Sequence, residues 1–233
     1  MVRLLGGGIV SGIVGVIGND SARYSLFWAC MDKLQMPPGW HKEHLIGGDW
    51  CGARNSLVEF TLKSDAEWLW FMDDDHAFSP DLLTKLLRWN LPLVVPVCLT
   101  RTTPFAPVTF TERVGDDRYL PLYLPEQEHQ GLVELVAGGC AGMLIHRSVL
   151  EAVESPWFEY GFASEDLIFC NKAKEAGFSI WCDLSARLGH ITVSVVWPTT
   201  DENGEWVVGF NIGRDTNLIC PIEPRERELE AVA

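Results

Sequence analysis

Asp73-Asp74-Asp75 follows directly on the apolar run Trp68-Leu69-Trp70-Phe71-Met72. Alternate residues of an extended backbone share a side, so Asp73 and Asp75 are expected to converge while Asp74 points away. Two carboxylates at the edge of a core repel one another unless a cation neutralises them. Hard oxygen ligands of this kind suit Mg²⁺ or Mn²⁺ bridging to phosphate. The competing explanation is a solvated acidic turn or a helix-capping cluster. A second acidic pair, Glu165-Asp166, stands behind Ser164 at the start of a predicted helix, where a cap and the positive end of the macrodipole favour carboxylates whatever their chemistry. Arg54 can donate a forked pair of hydrogen bonds to phosphate oxygens or form a surface salt bridge from a helix. Gly138-Gly139 would let the backbone approach a ligand closely, and a tight turn requires glycine equally well. Trp157 is a candidate stacking platform for a ligand's rings, but the chain has ten tryptophans, so core packing is the strong default.

Positioning these groups requires a scaffold, and the sequence describes one. Ile9 to Ile17 reads as a buried strand followed by Gly18-Asn19-Asp20-Ser21, where Asp20 or Ser21 caps a helix from Ala22 to Leu34. A short strand at His44 to Ile46 precedes a helix from Asp49 to Lys63, and Trp68 to Met72 forms a strand covered on both faces. Ser79 and Pro80 are expected to cap and open the next helix, which leads to a strand at Leu93 to Leu99. This rhythm predicts a single α/β domain with a Rossmann-like, mostly parallel central sheet flanked by helices. Such sheets bind ligands beyond the carboxyl ends of their strands, where Asp73 to Asp75 stand.

The segment 100–130 is Pro-rich and charged, with short strands at Val108 to Thr111 and Tyr119 to Leu122, and is expected to form an excursion or flap. Regularity returns with Leu132 to Ala137, Met143 to Ile145, helices at Ser148 to Val153 and Ser164 to Ala176, and a final strand at Ser179 to Cys182. The domain is expected to span 1–222, with 223–233 as a charged tail.

Composition narrows the class. A chain of 233 residues suffices for one sizeable core, and a net charge of −14 argues against a surface shaped throughout to hold a polyanion. Seven cysteines without paired spacing suggest buried thiols in a reducing, cytoplasmic setting. The Gly-rich apolar start is too short to span a bilayer, which takes roughly 20 residues, and no membrane segment is expected elsewhere.

The segment WLWFMDDDHAFSPDLL resembles the DxD region of GT-A glycosyltransferases, especially the inverting group called family 2. Gly138-Gly139-Cys140-Ala141-Gly142-Met143, Trp157-Phe158, Ser164-Glu165-Asp166 and Gly189-His190 resemble later segments of that group in the same order, over about residues 9 to 192. The resemblance implies a metal-dependent transfer of a sugar from a nucleotide-sugar donor, with UDP-sugar the expected type, to a hydroxyl acceptor. It implies Asp73, Asp75 and His190 as metal ligands, Asp166 as general base and Glu165 as its orienting partner. It also implies donor contacts at Val16, Ile17, Asn19, Arg54, Asp73, Asp74, Gly138 and Gly139. Ser164 replaces a commoner glycine there and leaves the acidic pair intact. Without that resemblance, His190 reads equally as an imidazole hydrogen-bonded within a loop.

Two other function classes fit parts of the pattern. A non-catalytic nucleotide-sugar or glycan-binding protein would keep the fold, although intact Asp73, Asp75, Asp166 and His190 argue against such decay. A metal-dependent phosphohydrolase also uses DxD, but on a first strand followed closely by Thr or Val rather than by His76-Ala77-Phe78. The acceptor is open between polysaccharide, protein and a hydroxymethylated base in DNA. The acidic total does not support DNA, and Arg101, Arg113, Arg118, Arg147 and Arg187 are scattered in sequence.

Overall fold

The computed structural model describes residues 10–18, 24–101, 105–115, 118–161, 163–192, 195–212 and 216–222. Its layers follow from alternation in the central strands. β1 (Gly12–Gly18) lies parallel to β2 (Trp40–Ile46) on one side and to β3 (Trp68–Asp73) on the other. Ile13, Ile17, Leu69 and Phe71 join one buried cluster, while Val14, Val16, Trp70 and Met72 join a second. Helices cover both faces. α2 (Trp50–Lys63), α4 (Arg147–Ala152) and α5 (Glu165–Glu175) contribute Leu57, Val149 and Phe169 to the first cluster. α1 (Ser25–Lys33) and α3 (Leu82–Leu87) contribute Phe27, Met31 and Leu86 to the second.

The central sheet continues from β3 through β10 (Leu144–His146), β5 (Leu93–Cys98), β11 (Ile180–Ile191), β12 (Val195–Thr200) and β13 (Trp206–Ile212) to β14 (Thr216–Pro221). β4 (His76–Phe78) and β8 (Leu132–Leu135) add to β11. A smaller sheet joins β6 (Thr109–Val114), β7 (Arg118–Pro121) and β9 (Ala137–Gly138), so much of the 100–130 excursion folds back against the body. The expected α/β class with a helix-flanked central sheet is present. Its order is mixed, because β10 runs antiparallel between β3 and β5.

Several boundaries differ from the sequence reading. α3 begins at Leu82 with Asp81 at its N-cap position, and Ser79 donates its hydroxyl to the Asp81 carboxylate at 2.6 Å instead of capping the helix. Asp49 does cap α2, accepting the Gly52 N–H at 2.8 Å. The caps expected at Asp20 and Ser21, and the charged tail 223–233, lie outside the described residues. The strand expected at Ser179 to Cys182 runs to Ile191, and β12 to β14 follow it as an antiparallel ribbon. Arg147, scattered in sequence from other cations, is spent on the end of α2. Its guanidinium donates to the carbonyls of Leu62 at 2.7 Å and Ser64 at 2.8 Å. All seven cysteines are free thiols. Among the described residues no helix is long and apolar enough to cross a membrane.

Candidate metal and transfer site

β3 ends at Asp73, and Asp74-Asp75 form the turn into β4. Asp73 and Asp75 therefore meet through a turn and not by strand alternation. The Asp74 peptide N–H donates to the Ile17 carbonyl at 3.0 Å, which pins this turn to the end of β1. Asp74 itself is buried, and a Cβ on Gly18 would stand 2.7 Å from its Oδ2. Glycine at position 18 is what lets that carboxylate in.

β4 then pairs with β11 so that His76 faces His190 across the ladder. Their rings stack with centroids 4.5 Å apart. Between them sits Asp75, whose Oδ1 meets His76 Nδ1 at 2.8 Å and whose Oδ2 meets His190 Nε2 at 3.3 Å. Arg101 donates to the same Oδ2 at 2.8 Å. Burial works to raise the Asp75 pKa, but hydrogen bonds from His190 and His76 outweigh it and hold the carboxyl well below the ordinary carboxylate range.

His190 Nδ1 lies 3.1 Å from the Leu99 carbonyl, an acceptor, while Nε2 faces the Asp75 carboxylate. With Nδ1–H donated to Leu99, Nε2 donates to Asp75 only when the ring carries its second proton; without that proton, the Nε2 lone pair and the carboxylate converge where a cation can bind. A carbonyl fixing the far nitrogen is also how metal-binding histidines are oriented. Ligand atoms of Asp73, Asp75 and His76 all lie within 4.8 Å of one another, as do those of His76, Cys98 and His190. Carboxylates with imidazoles suit a divalent cation. The residues therefore fit a metal ion.

Arg54 is neither on the surface nor free to fork onto a ligand. It is 4% exposed, and its two terminal nitrogens reach the two oxygens of Asp73 at 3.2 and 3.1 Å. Its Nε reaches Glu165 at 3.3 Å. Phe71 and Phe158 flank the guanidinium at 5.5 and 6.0 Å. Burial would lower its pKa, but Asp73 and Glu165, among its neighbours, together more than reverse this and raise it.

Asp166 sits beside that bridge at the start of α5. Ser164 occupies the N-cap position but makes no capping bond with its side chain; its hydroxyl donates to Asp166 Oδ1, which also accepts the Leu167 N–H at 2.9 Å. Burial raises the Asp166 pKa, and the hydrogen bond from Ser164 offsets part of this.

Asp73, Asp75, His190, Glu165 and Asp166 all line one cavity of about 440 Å³, with Tyr24, Trp50 and Gly139 on its walls. Not every expected residue reaches it. Trp157 is buried in the core with its indole N–H on the Leu150 carbonyl. Gly138 is buried under Val95, and Val16 and Ile17 send their side chains into the two cores. Asn19 lies outside the described residues. His76, Cys98 and Arg101 line the cavity without having been assigned from the sequence. His76 was visible as a histidine adjoining the acidic run, whereas Cys98 and Arg101 carry no local signal and arrive by sheet pairing.

No family model matches the chain, and no curated protein matches it. Solved structures do match. A197 from STIV superposes with a TM-score of 0.57 at 14% identity, covering 88% of this chain and 98% of that one. A structure of GalNAc-T7 with UDP, GalNAc and Mn²⁺ superposes with a TM-score of 0.56 at 13% identity, covering 80% of this chain. The match spans 45% of the GalNAc-T7 chain. At such identities the likeness establishes the fold.

Proposed function

We propose that this chain is a metal-dependent glycosyltransferase that moves a sugar from a nucleotide-sugar donor to a hydroxyl acceptor. The observation that carries the proposal is the meeting, in one cavity, of the Asp75–His190 pair and the raised carboxyl of Asp166. The GalNAc-T7 structure, which shares the fold, was solved with UDP, GalNAc and Mn²⁺, and this supports a UDP-sugar as donor.

Asp73, Asp75 and His190 would hold a Mn²⁺ or Mg²⁺ ion, with His76 close enough to join them. Such an ion supplies positive charge against the negative charge that develops on a departing nucleoside diphosphate. The remaining work belongs to the chain's own side chains. Asp166 takes the proton of the acceptor hydroxyl as that oxygen attacks the sugar's anomeric carbon, and its raised pKa makes it a better proton acceptor once ionised. Glu165 is tied through Arg54 to Asp73, so the acceptor side and the donor side share one buried cation. Asp75 orients both imidazoles. Inversion at the anomeric carbon follows from the resemblance to the inverting group.

Thermal unfolding with UDP, GDP, CDP and ADP, each with Mn²⁺ and again with excess chelator, tests the donor half. Binding to the folded state should add about 2.7 kcal/mol at a hundredfold excess over the dissociation constant. One diphosphate should shift the midpoint in a metal-dependent way. The absence of a shift with all four sinks the assignment.

A further inference from the structure

A second crevice, of about 710 Å³, lies elsewhere. It exists because β12 leaves β11 early. The two strands pair only at His190↔Val196 and Ile191↔Val195, although β12 runs on to Thr200 and stays paired with β13 throughout. β12 therefore diverges from β11, and the crevice is lined by Arg187 and Ser185 of β11, Lys85 of α3, and Trp197, Thr199 and Thr200 of β12.

Its chemistry is unlike the rest of this acidic chain. Among the described residues two cations line it and no carboxylate does. Lys85 is paired with Asp81 at 3.1 Å. Arg187 is the informative one: it stacks over Trp206 at 4.6 Å and makes no hydrogen bond or ion pair among the described residues. Burial lowers its pKa with nothing compensating. A half-buried guanidinium without an anion is costly, and its fork of donors fits a carboxylate or phosphate. The Trp197 indole N–H is also buried and without a partner, and its ring rests on Gly189, where a Cβ would come within 3.1 Å of it. Thr199 and Thr200 offer hydroxyls nearby.

We propose that this crevice binds an anionic saccharide, its carboxylate or phosphate on Arg187 and a sugar face against Trp197. The ring of Trp197 presents apolar area, which suits a sugar ring's C–H face. Two cations in a chain of net charge −14 are too few to track a nucleic-acid backbone. The site shares β4 and β11 with the metal cluster: Phe78 lines the crevice, and Gly189 adjoins His190.

Calorimetric titration of the full chain with trigalacturonate, maltotriose and octathymidylate, without nucleotide or metal, tests the site separately from the transferase reading. Trigalacturonate should bind, maltotriose should bind more weakly, and Arg187→Met, which keeps an unbranched apolar stem, should weaken trigalacturonate about tenfold or more. An unchanged melting temperature in Arg187→Met shows that the fold survives, and Lys85→Met gives a second reading should it not. The proposal is overturned by no binding of trigalacturonate, by equal binding of maltotriose, by affinity indifferent to both substitutions, or by tighter binding of octathymidylate.

Discussion

Arg54 holds Asp73 in a forked pair at 3.2 and 3.1 Å and reaches Glu165 with its remaining nitrogen at 3.3 Å. A cation so deeply placed costs solvation, which two carboxylates and the flanking Phe71 and Phe158 rings offset. Arg54→Met leaves both carboxylates facing one another without a counter-charge. It should cost about 3–5 kcal/mol of stability, as breaking a buried pair does. Chemical denaturation measures this. Arg54→Lys keeps the charge but not the fork and should fall between wild type and Arg54→Met.

Arg101 lies on the same Asp75 oxygen that faces His190, at 2.8 Å, and is half exposed. In the proposed site it competes with a metal ion for Asp75 and then becomes free for a diphosphate. Arg101→Ala should therefore strengthen Mn²⁺ binding in the absence of nucleotide and weaken nucleotide binding in its presence. Titrating Mn²⁺ by its effect on water relaxation, with and without UDP, separates the two. Weaker Mn²⁺ binding in the nucleotide-free variant would show that Arg101 does not compete.

How much of this was legible follows from where each signal resides. β3 and its acidic end were readable because five successive apolar residues stop abruptly at charge, and α2 because Asp49 precedes a helical run. The antiparallel place of β10 was not, since Leu144-Ile145-His146 carries no mark of direction. The β12–β13 hairpin could have been found: Asn203-Gly204 sits between β-rich runs, Gly204 has φ +85°, and Asp201 accepts the N–H groups of Asn203 and Glu205. Arg54 and Glu165 lie 111 residues apart, and no local pattern joins them. Trp157 takes the core position its abundance favours, and the platform reading stays open in sequence because an aromatic near an acidic motif looks the same whether its indole faces a ligand or the Leu150 carbonyl.

Asp166 gives a prediction in pH. Burial raises its pKa, so the folded chain holds the proton more tightly than the unfolded chain does. Its contribution to stability is present below the ordinary carboxylate range and is lost as pH rises through the folded value. As the proposed base it must be ionised to act, so the acid limb of kcat/KM should lie above the ordinary carboxylate range. Asp166→Asn should slow turnover by about 10²–10⁴ and remove that limb, while nucleotide binding persists. A variant that keeps the limb would assign it to another group.

Two glycines separate stability from site geometry. Gly142 has φ +76°, and a Cβ there would come 2.6 Å from the Pro96 ring. Gly142→Ala therefore combines a left-handed backbone, about 1–2 kcal/mol, with overpacking, about 1–3 kcal/mol. Its residue is outside the cavity lining, so the melting temperature should fall while nucleotide affinity holds. Gly18 has no such backbone demand; its Cβ would instead press on Asp74 Oδ2 at 2.7 Å and push at the turn that carries Asp75. Gly18→Ala should thus lower metal-dependent nucleotide affinity more than Gly142→Ala does, with the smaller loss in melting temperature. The reverse order, read from paired melting and titration curves, would mean that the Asp74 turn relaxes without disturbing Asp75.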